Sequence, residues 1–191
     1  MLMGIEALKQ DPETRVIVVL SKPPAEEVAA AVLSKLEGTG KPCVVHFLGR
    51  KPSATLGSVR FSGNMEEAAA MAVALSNREE YRERWRAPLE AEIERVAEAE
   101  VKSMASEQKY VRGLFAGGTL ATEAMALFEE EGFRILSNVR KQPGLALQSP
   151  HRSEGHAIVD MGDDVFTLGR PHPMIDPSLR EERIAKEAAD P

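Results

Sequence analysis

Cysteine, aromatic residues, basic charge and long apolar runs are all scarce in this 191-residue chain. The single cysteine, Cys43, lies in the apolar run CVVHFLG and has no partner for an internal disulfide. That favours a reducing cytoplasm and reads as a small buried hydrophobe rather than a nucleophile. Aromatic residues make up 5% against 43% hydrophobic overall, the balance of an ordinary α/β protein. Twenty-four basic residues face 30 acidic ones, and the net charge of −6 argues against a non-specific grip on nucleic acid or an anionic membrane. No stretch approaches the roughly 18 consecutive apolar residues of a membrane span. The start MLMGIEALKQDPE shows neither a basic leader nor an apolar core of signal-peptide length, so a soluble, unexported chain is expected. A P-loop and a G-x-G-x-x-G fingerprint are also lacking, which removes the two commonest nucleotide signatures.

What is present alternates between strand and helix patterns. Val16–Leu20 is a β-branched run, followed by a Pro-Pro pair suited to a first helical turn and by AEEVAAAVLSKLEG, whose helical spacing ends at Gly38. KPCVVHFLG reads as a second buried strand, completing a βαβ unit that requires a parallel sheet covered on both faces. SVRFSG is a brief third strand, and NMEEAAAMAVALSN a helix capped by Asn64 with Glu67 three residues on. Residues 1–77 therefore read as one partial domain.

Residues 78–109 are charge-dense and helix-favouring, interrupted at Pro88, and suit a solvated linker or a partner-binding helix. Residues 110–191 begin a second unit. A strand at Val111–Phe115 and a glycine turn lead into a helix from about Thr119 to Gly132. FRILSNV and HAIVDMG follow as strands, then a final helix capped by Asp176 with Pro177 in its first position. The opening helix has no strand before it and the chain stops where another strand is due, so it reads as a piece of a longer protein.

Two places could carry chemistry. Gly117-Gly118-Thr119 follows a strand and opens a helix, where unpaired N–H groups and the helix dipole favour an anion; the alternative is a simple tight turn. Asp160 stands at the carboxyl end of a strand, the edge where parallel sheets hold ligands, and the loop after it carries Asp163, Asp164, Thr167, Arg170 and His172. Histidine there could move a proton or accept a phosphoryl group, with a carboxylate fixing its tautomer. The catalytic candidates are His172, Asp164, Asp160 and His156, and the phosphate-binding candidates are Gly117, Gly118, Thr119 and Arg170. Against these stand plainer roles: a backbone partner for His156, turn residues for Asp163 and Asp164, and a helix cap for Asp176. No compact ligand spacing supports a metal site.

VRGLFAGGTLATEAM and GHAIVDMGDDVFTLGRPHPMIDPSLR, with DPETRVIVVLSKPP and GKPCVVHFLG earlier, resemble the FdrA family, proteins related to both chains of succinyl-CoA synthetase. The resemblance implies two flavodoxin-like α/β/α CoA-ligase modules with parallel sheets, the first of α-chain type and the second of β-chain type. It also implies helix N-termini facing a phosphorylated histidine, with Gly117, Gly118 and Thr119 at one such helix start. The family's Gly-His-Ala-Gly loop is replaced by GRKPSATLGSVRFSG; GHAI at Gly155 resembles it but lies in the other unit. The CoA-binding Rossmann domain and an ATP-grasp region lie outside this chain, so CoA, phosphate or nucleotide would be engaged together with other domains. Three activities follow as expectations: part of an acyl-CoA synthetase-like ligase, a subunit of an oxamate- or oxalurate-type carbamoyltransferase using carbamoyl phosphate, or a non-catalytic assembly module. A small anionic substrate and a homo- or hetero-oligomer are expected in each enzymatic case.

Overall fold

A computed structural model describes residues 1–50, 54–81 and 86–189, with the side chains of residues 86–89 outside the description. The chain divides into two compact units, Met1–Arg86 and Ala87–Pro191. Both are α/β units built on three parallel strands. Among the described residues no helix is long and apolar enough to cross a membrane.

The first unit runs α1 (Leu2–Gln10), β1 (Ile17–Ser21), α2 (Glu26–Glu37), β2 (Cys43–Phe47), β3 (Val59–Phe61), α3 (Met65–Asn77). Its strands lie in the order β1-β2-β3, with Ile17 beside Cys43 and Cys43 beside Val59. Every residue of central β2 is buried, as expected of a parallel strand covered on both faces. Cys43, Val45 and Phe47 pack with Ile5 of α1 and Val32 and Leu36 of α2. Val44 and His46 alternate to the other face, and α3 packs against the same strand. Burial pushes the Cys43 thiol up, an environment that keeps it protonated.

Two ends differ from expectation. Pro23 and Pro24 precede α2 rather than forming its first turn; a residue before proline is biased to extended backbone, and Ala25 is the N-cap at φ −58°, ψ 151°. The C-terminus of α3 turns through Arg78 at φ +62°, the one non-glycine residue in left-handed conformation among those described. Its N–H donates to the Leu75 carbonyl at 3.1 Å and that of Glu79 to Ala74 at 2.8 Å, the paired bonds of a Schellman end.

The second unit runs α4 (Arg86–Val101), β4 (Arg112–Phe115), α5 (Gly118–Glu130), β5 (Leu136–Ser137), β6 (Ala157–Asp160), α6 (Asp164–Thr167), α7 (Ser178–Ala188). Pro88 falls in the first turn of α4, where a missing N–H costs nothing, and does not interrupt it. The parallel order is β4-β6-β5, so the last strand of the sequence is the central one. Ala157 and Val159 pack with Met161, Phe166 and Leu179 on the α6–α7 face. Ile158 points the other way, into Ala121 and Met125 of α5 and Ile135. Gly132, at φ +83°, ends α5, and Phe133 closes the turn by bonding Phe128 through its N–H at 3.0 Å and stacking edge-on against its ring.

FRILSNV yields a strand of only two residues. Its backbone groups face both ways: the Leu136 N–H donates to His156 on the β6 side, while the Ser137 N–H donates to Leu145 and its carbonyl accepts from Leu147 on the other, a parallel bridge to Ala146. A buried ionic cluster ties α7 to this unit. The Arg183 guanidinium donates to Glu187 (2.5 Å), the Pro150 carbonyl (2.8 Å) and Ser153 Oγ (2.9 Å), and Arg112 Nε lies 3.1 Å from Glu187.

Candidate functional site

The site forms where β4 and β6 end side by side, Phe115 opposite Asp160. Beyond β4, Ala116 and Gly117 turn directly into α5. Its first helical bond runs from the Ala121 N–H to the Gly117 carbonyl at 3.3 Å, so the N–H groups of Gly118, Thr119 and Leu120 have no acceptor a turn behind them. Gly117, the N-cap, supplies no side-chain cap, and the first turn carries no acidic residue. A Cβ at Gly117 would meet nothing within 4 Å, so the space before the helix start is open.

The start of α3 in the first unit, after β3, is closed. Asn64 Oδ1 accepts the Glu67 N–H at 2.7 Å, and the Glu67 carboxylate reaches back to the Gly63 N–H at 2.6 Å. This is a capping box displaced by one residue, Gly63 taking the place of the cap's own N–H. A carboxylate of the chain already occupies the position an external anion would take, and Glu66 adds a second acid. α2, which follows β1, lacks a side-chain cap but carries Glu26 and Glu27 in its first turn, whereas the start of α5 has neither a side-chain cap nor an acidic residue.

Beside the open start stand Asp160 and His172. Asp160 is buried, and its Oδ1 accepts the Gly162 N–H at 2.9 Å. His172 Nδ1 accepts the Met174 N–H at 3.2 Å. The neutral imidazole therefore carries its proton on Nε2, an assignment that follows from the hydrogen-bond geometry. Gly162 shows how closely the parts approach: a Cβ there would lie 2.7 Å from His172 Nε2, 3.2 Å from Asp160 Oδ1 and 3.3 Å from the Ala116 carbonyl oxygen. Three polar atoms from three segments surround one point, and glycine is required by space.

The other candidates fall elsewhere. His156 precedes β6, at the strand's amino end, away from the edge where Asp160 stands. It accepts the Val111 N–H at 3.1 Å and sits edge-on against Tyr110 and Phe133. The structure does not bring it to the cluster, and it joins β6 to the start of β4. Asp163 caps α6 through the Val165 N–H (3.1 Å), while Asp164 is exposed in the first turn of that helix. Arg170 is exposed. Asp176 is held below the usual carboxylate range by the Ser178 N–H, then the Ser178 hydroxyl and more weakly by Arg170. Its Oδ1 caps α7 while Pro177 takes the N-cap position, within one residue of the expected boundary. Among the described residues no group of three or more His, Cys, Asp or Glu side chains could hold a metal ion.

Sequence reasoning missed Asn138. Its Oδ1 accepts the Asp160 N–H at 2.9 Å and its Nδ2 donates to the Asp160 carbonyl at 3.0 Å. An asparagine just after a short strand carries no local signal for this, because the contact depends on how β5 and β6 pair.

The second unit is a parallel α/β/α module with an uncapped helix start, a carboxylate and an imidazole at the carboxyl edge of its sheet, the edge where such sheets hold ligands. The comparison with known families narrows the class: residues 114–191 match the family model described as CoA-ligase, which covers the whole site. The chain is also 40% identical over 196 aligned residues, spanning all of its length, to a protein of Escherichia coli (strain K12) described as uncharacterized protein YahF. It spans 36% of the length of that curated relative.

Proposed function

We propose that the chain is a component of an FdrA-like acyl-CoA synthetase, acting on acyl and phosphoryl groups through the carboxyl edge of its second sheet. The observation that carries this reading is the convergence of His172 Nε2, Asp160 Oδ1 and the Ala116–Gly117 turn around Gly162, beside an uncapped helix start. The CoA-ligase match over the same segment supports it. Phosphoryl oxygens of an acyl phosphate would accept the N–H groups of Gly118 and Thr119, with the α5 dipole aligned to them. His172 Nε2–H would donate a hydrogen bond to the substrate's leaving or bridging oxygen while keeping its proton, and the Asp160 carboxylate beside it would favour a ring that presents a donor there. Arg170 would add positive charge from the rim. CoA supplies the thiol of the family's reaction, and other domains of the whole enzyme would bind most of it.

The test uses the full-length protein. Inorganic phosphate at high excess over its dissociation constant should raise Tm relative to chloride of equal ionic strength, through binding to the folded state alone. Gly117→Glu, which would place a carboxylate in the open space, should abolish that shift. His172→Ala should retain the phosphate shift and lose acyl or carbamoyl transfer. An unchanged Tm in phosphate, or full transfer activity in His172→Ala, would overturn the assignment.

A further inference from the structure

α4 is set apart by exposure and charge. Every side chain from Glu90 to Val101 is exposed, including Ile93 at 55%, Val96 at 43% and Val101 at 65%. At helical spacing Ile93, Val96, Ala97 and Val101 fall on one face, and Met104 continues that line just past the helix. Glu90, Glu94 and Glu98, four residues apart, form a row along one border of this stripe, and Glu100 interrupts it near the C-terminal end. Arg95 lies on the polar side and is engaged there by both carboxylate oxygens of Glu92, at 2.6 and 3.2 Å. Among the described side chains of α4 no other cation stands beside the glutamates, and Arg86 and Lys102 fall only in line with the two ends of the row, four residues before Glu90 and four after Glu98. An exposed apolar stripe bordered by one sign of charge is the pattern of a helix that pairs with another helix.

We propose that α4 docks a partner helix whose apolar seam is bordered by lysine or arginine. The occupant follows from charge. Two copies of α4 would bring acidic borders together, as like charges beside a coiled-coil seam do, and an anionic lipid surface would be repelled. A basic border opposes Glu90, Glu94 and Glu98 while its aliphatic seam covers Ile93, Val96 and Val101. This surface is separate from the Gly162 cluster and stands whether or not the acyl-transfer reading does.

Two fluorescent synthetic helical peptides of about 20 residues, long enough to be stable helices, test the proposal against the full chain by anisotropy. Both carry a leucine seam; one has lysine borders and the other glutamate borders. The lysine peptide should bind, with affinity falling about tenfold or more between low and high salt, and the glutamate peptide should not. Ile93→Asp should abolish binding without altering Tm, because that side chain is exposed. Exchange of Glu90, Glu94 and Glu98 for lysine should reverse the peptide preference. Equal binding of both peptides, binding of neither, or a concentration-dependent dimer in sedimentation that Ile93→Asp dissolves would each overturn the proposal.

Discussion

Asn138 binds both backbone atoms of Asp160 with one side-chain amide, accepting from its N–H at 2.9 Å and donating to its carbonyl at 3.0 Å. β5 ends at Ser137, paired with Ile158, so the amide takes over where the strand leaves off and continues the ladder beside β6. The effect is to hold the last residue of the central strand in place at the edge where the candidate site lies, without another stretch of backbone. An asparagine amide suits this because it offers one donor and one acceptor in a plane, as a peptide group does.

Asn138→Asp keeps the shape but replaces the Nδ2 donor by an oxygen that faces the Asp160 carbonyl. Loss of the bond with a buried acceptor left behind should cost about 1–3 kcal/mol. Urea denaturation measures it. Asn138→Ala should cost a similar amount, and a change below about 0.5 kcal/mol in both would show that Asp160 does not depend on the clamp.

Gly162→Ala places a methyl group where His172 Nε2 now stands at 2.7 Å. The imidazole has to swing out, and the backbone beneath it need not. Stability should fall by about 1 kcal/mol, whereas transfer activity of the full-length protein should drop by about 10²-fold from misplacement of the reacting group. NMR of the His172 ring protons would report the displacement directly; an unmoved ring would refute the spatial argument.

Arg78→Gly should stabilise the first unit. Arg78 adopts φ +62°, which costs a non-glycine residue about 1 kcal/mol, and its N–H bond to Leu75 is kept by glycine. The expected gain, after the greater freedom of glycine in the unfolded chain is deducted, is about 0.5 kcal/mol. A lower Tm would contradict it.

Glu187 links stability to pH. Burial by itself would raise its carboxyl, but the Ser153 hydroxyl, the Arg183 guanidinium and then Arg112 outweigh that and hold it below the usual glutamate range. A depressed folded-state pKa means that the contribution is complete above the unfolded value, about pH 4.3, and disappears as pH falls through the folded one. Glu187→Gln removes one partner of a buried ion pair and should cost about 3 kcal/mol at neutral pH. In denaturation curves the gap between the two proteins should narrow as pH falls below the unfolded value and close as the folded carboxyl becomes protonated; a gap that stays constant with pH would rule out the charge of Glu187 as its source.

The sequence was readable wherever a signal is local. Asn64 with Glu67, the Gly117-Gly118 turn after an apolar strand, and Asp160 at the end of AIVD can each be located from spacing and residue type. His172, in the loop after that strand, lies between Pro171 and Pro173. The features that were not readable depend on distant pairing. Asn138 acts only because β5 lies beside β6, and Gly162 matters only because His172, ten residues on, folds back over it. At His156 the structure shows the plainer of the two roles read from the sequence, a backbone partner: its ring accepts the Val111 N–H. FRILSNV gives a strand of only Leu136 and Ser137, because at Asn138 it is the side-chain amide that meets the Asp160 backbone.

Pro171 and Pro173 bear on the thermodynamics of ligand capture. Pro171 is locked near one φ, and His172, lying before a proline, is kept from the helical region. Its carbonyl is fixed by the N–H groups of Ile175 (2.8 Å) and Asp176 (3.1 Å). Most of the conformational entropy that a loop histidine would lose on meeting a ligand is thus already lost during folding. Binding at this edge should therefore resemble docking to a rigid surface, with little loop-ordering penalty and an on-rate that does not wait for the loop to rearrange.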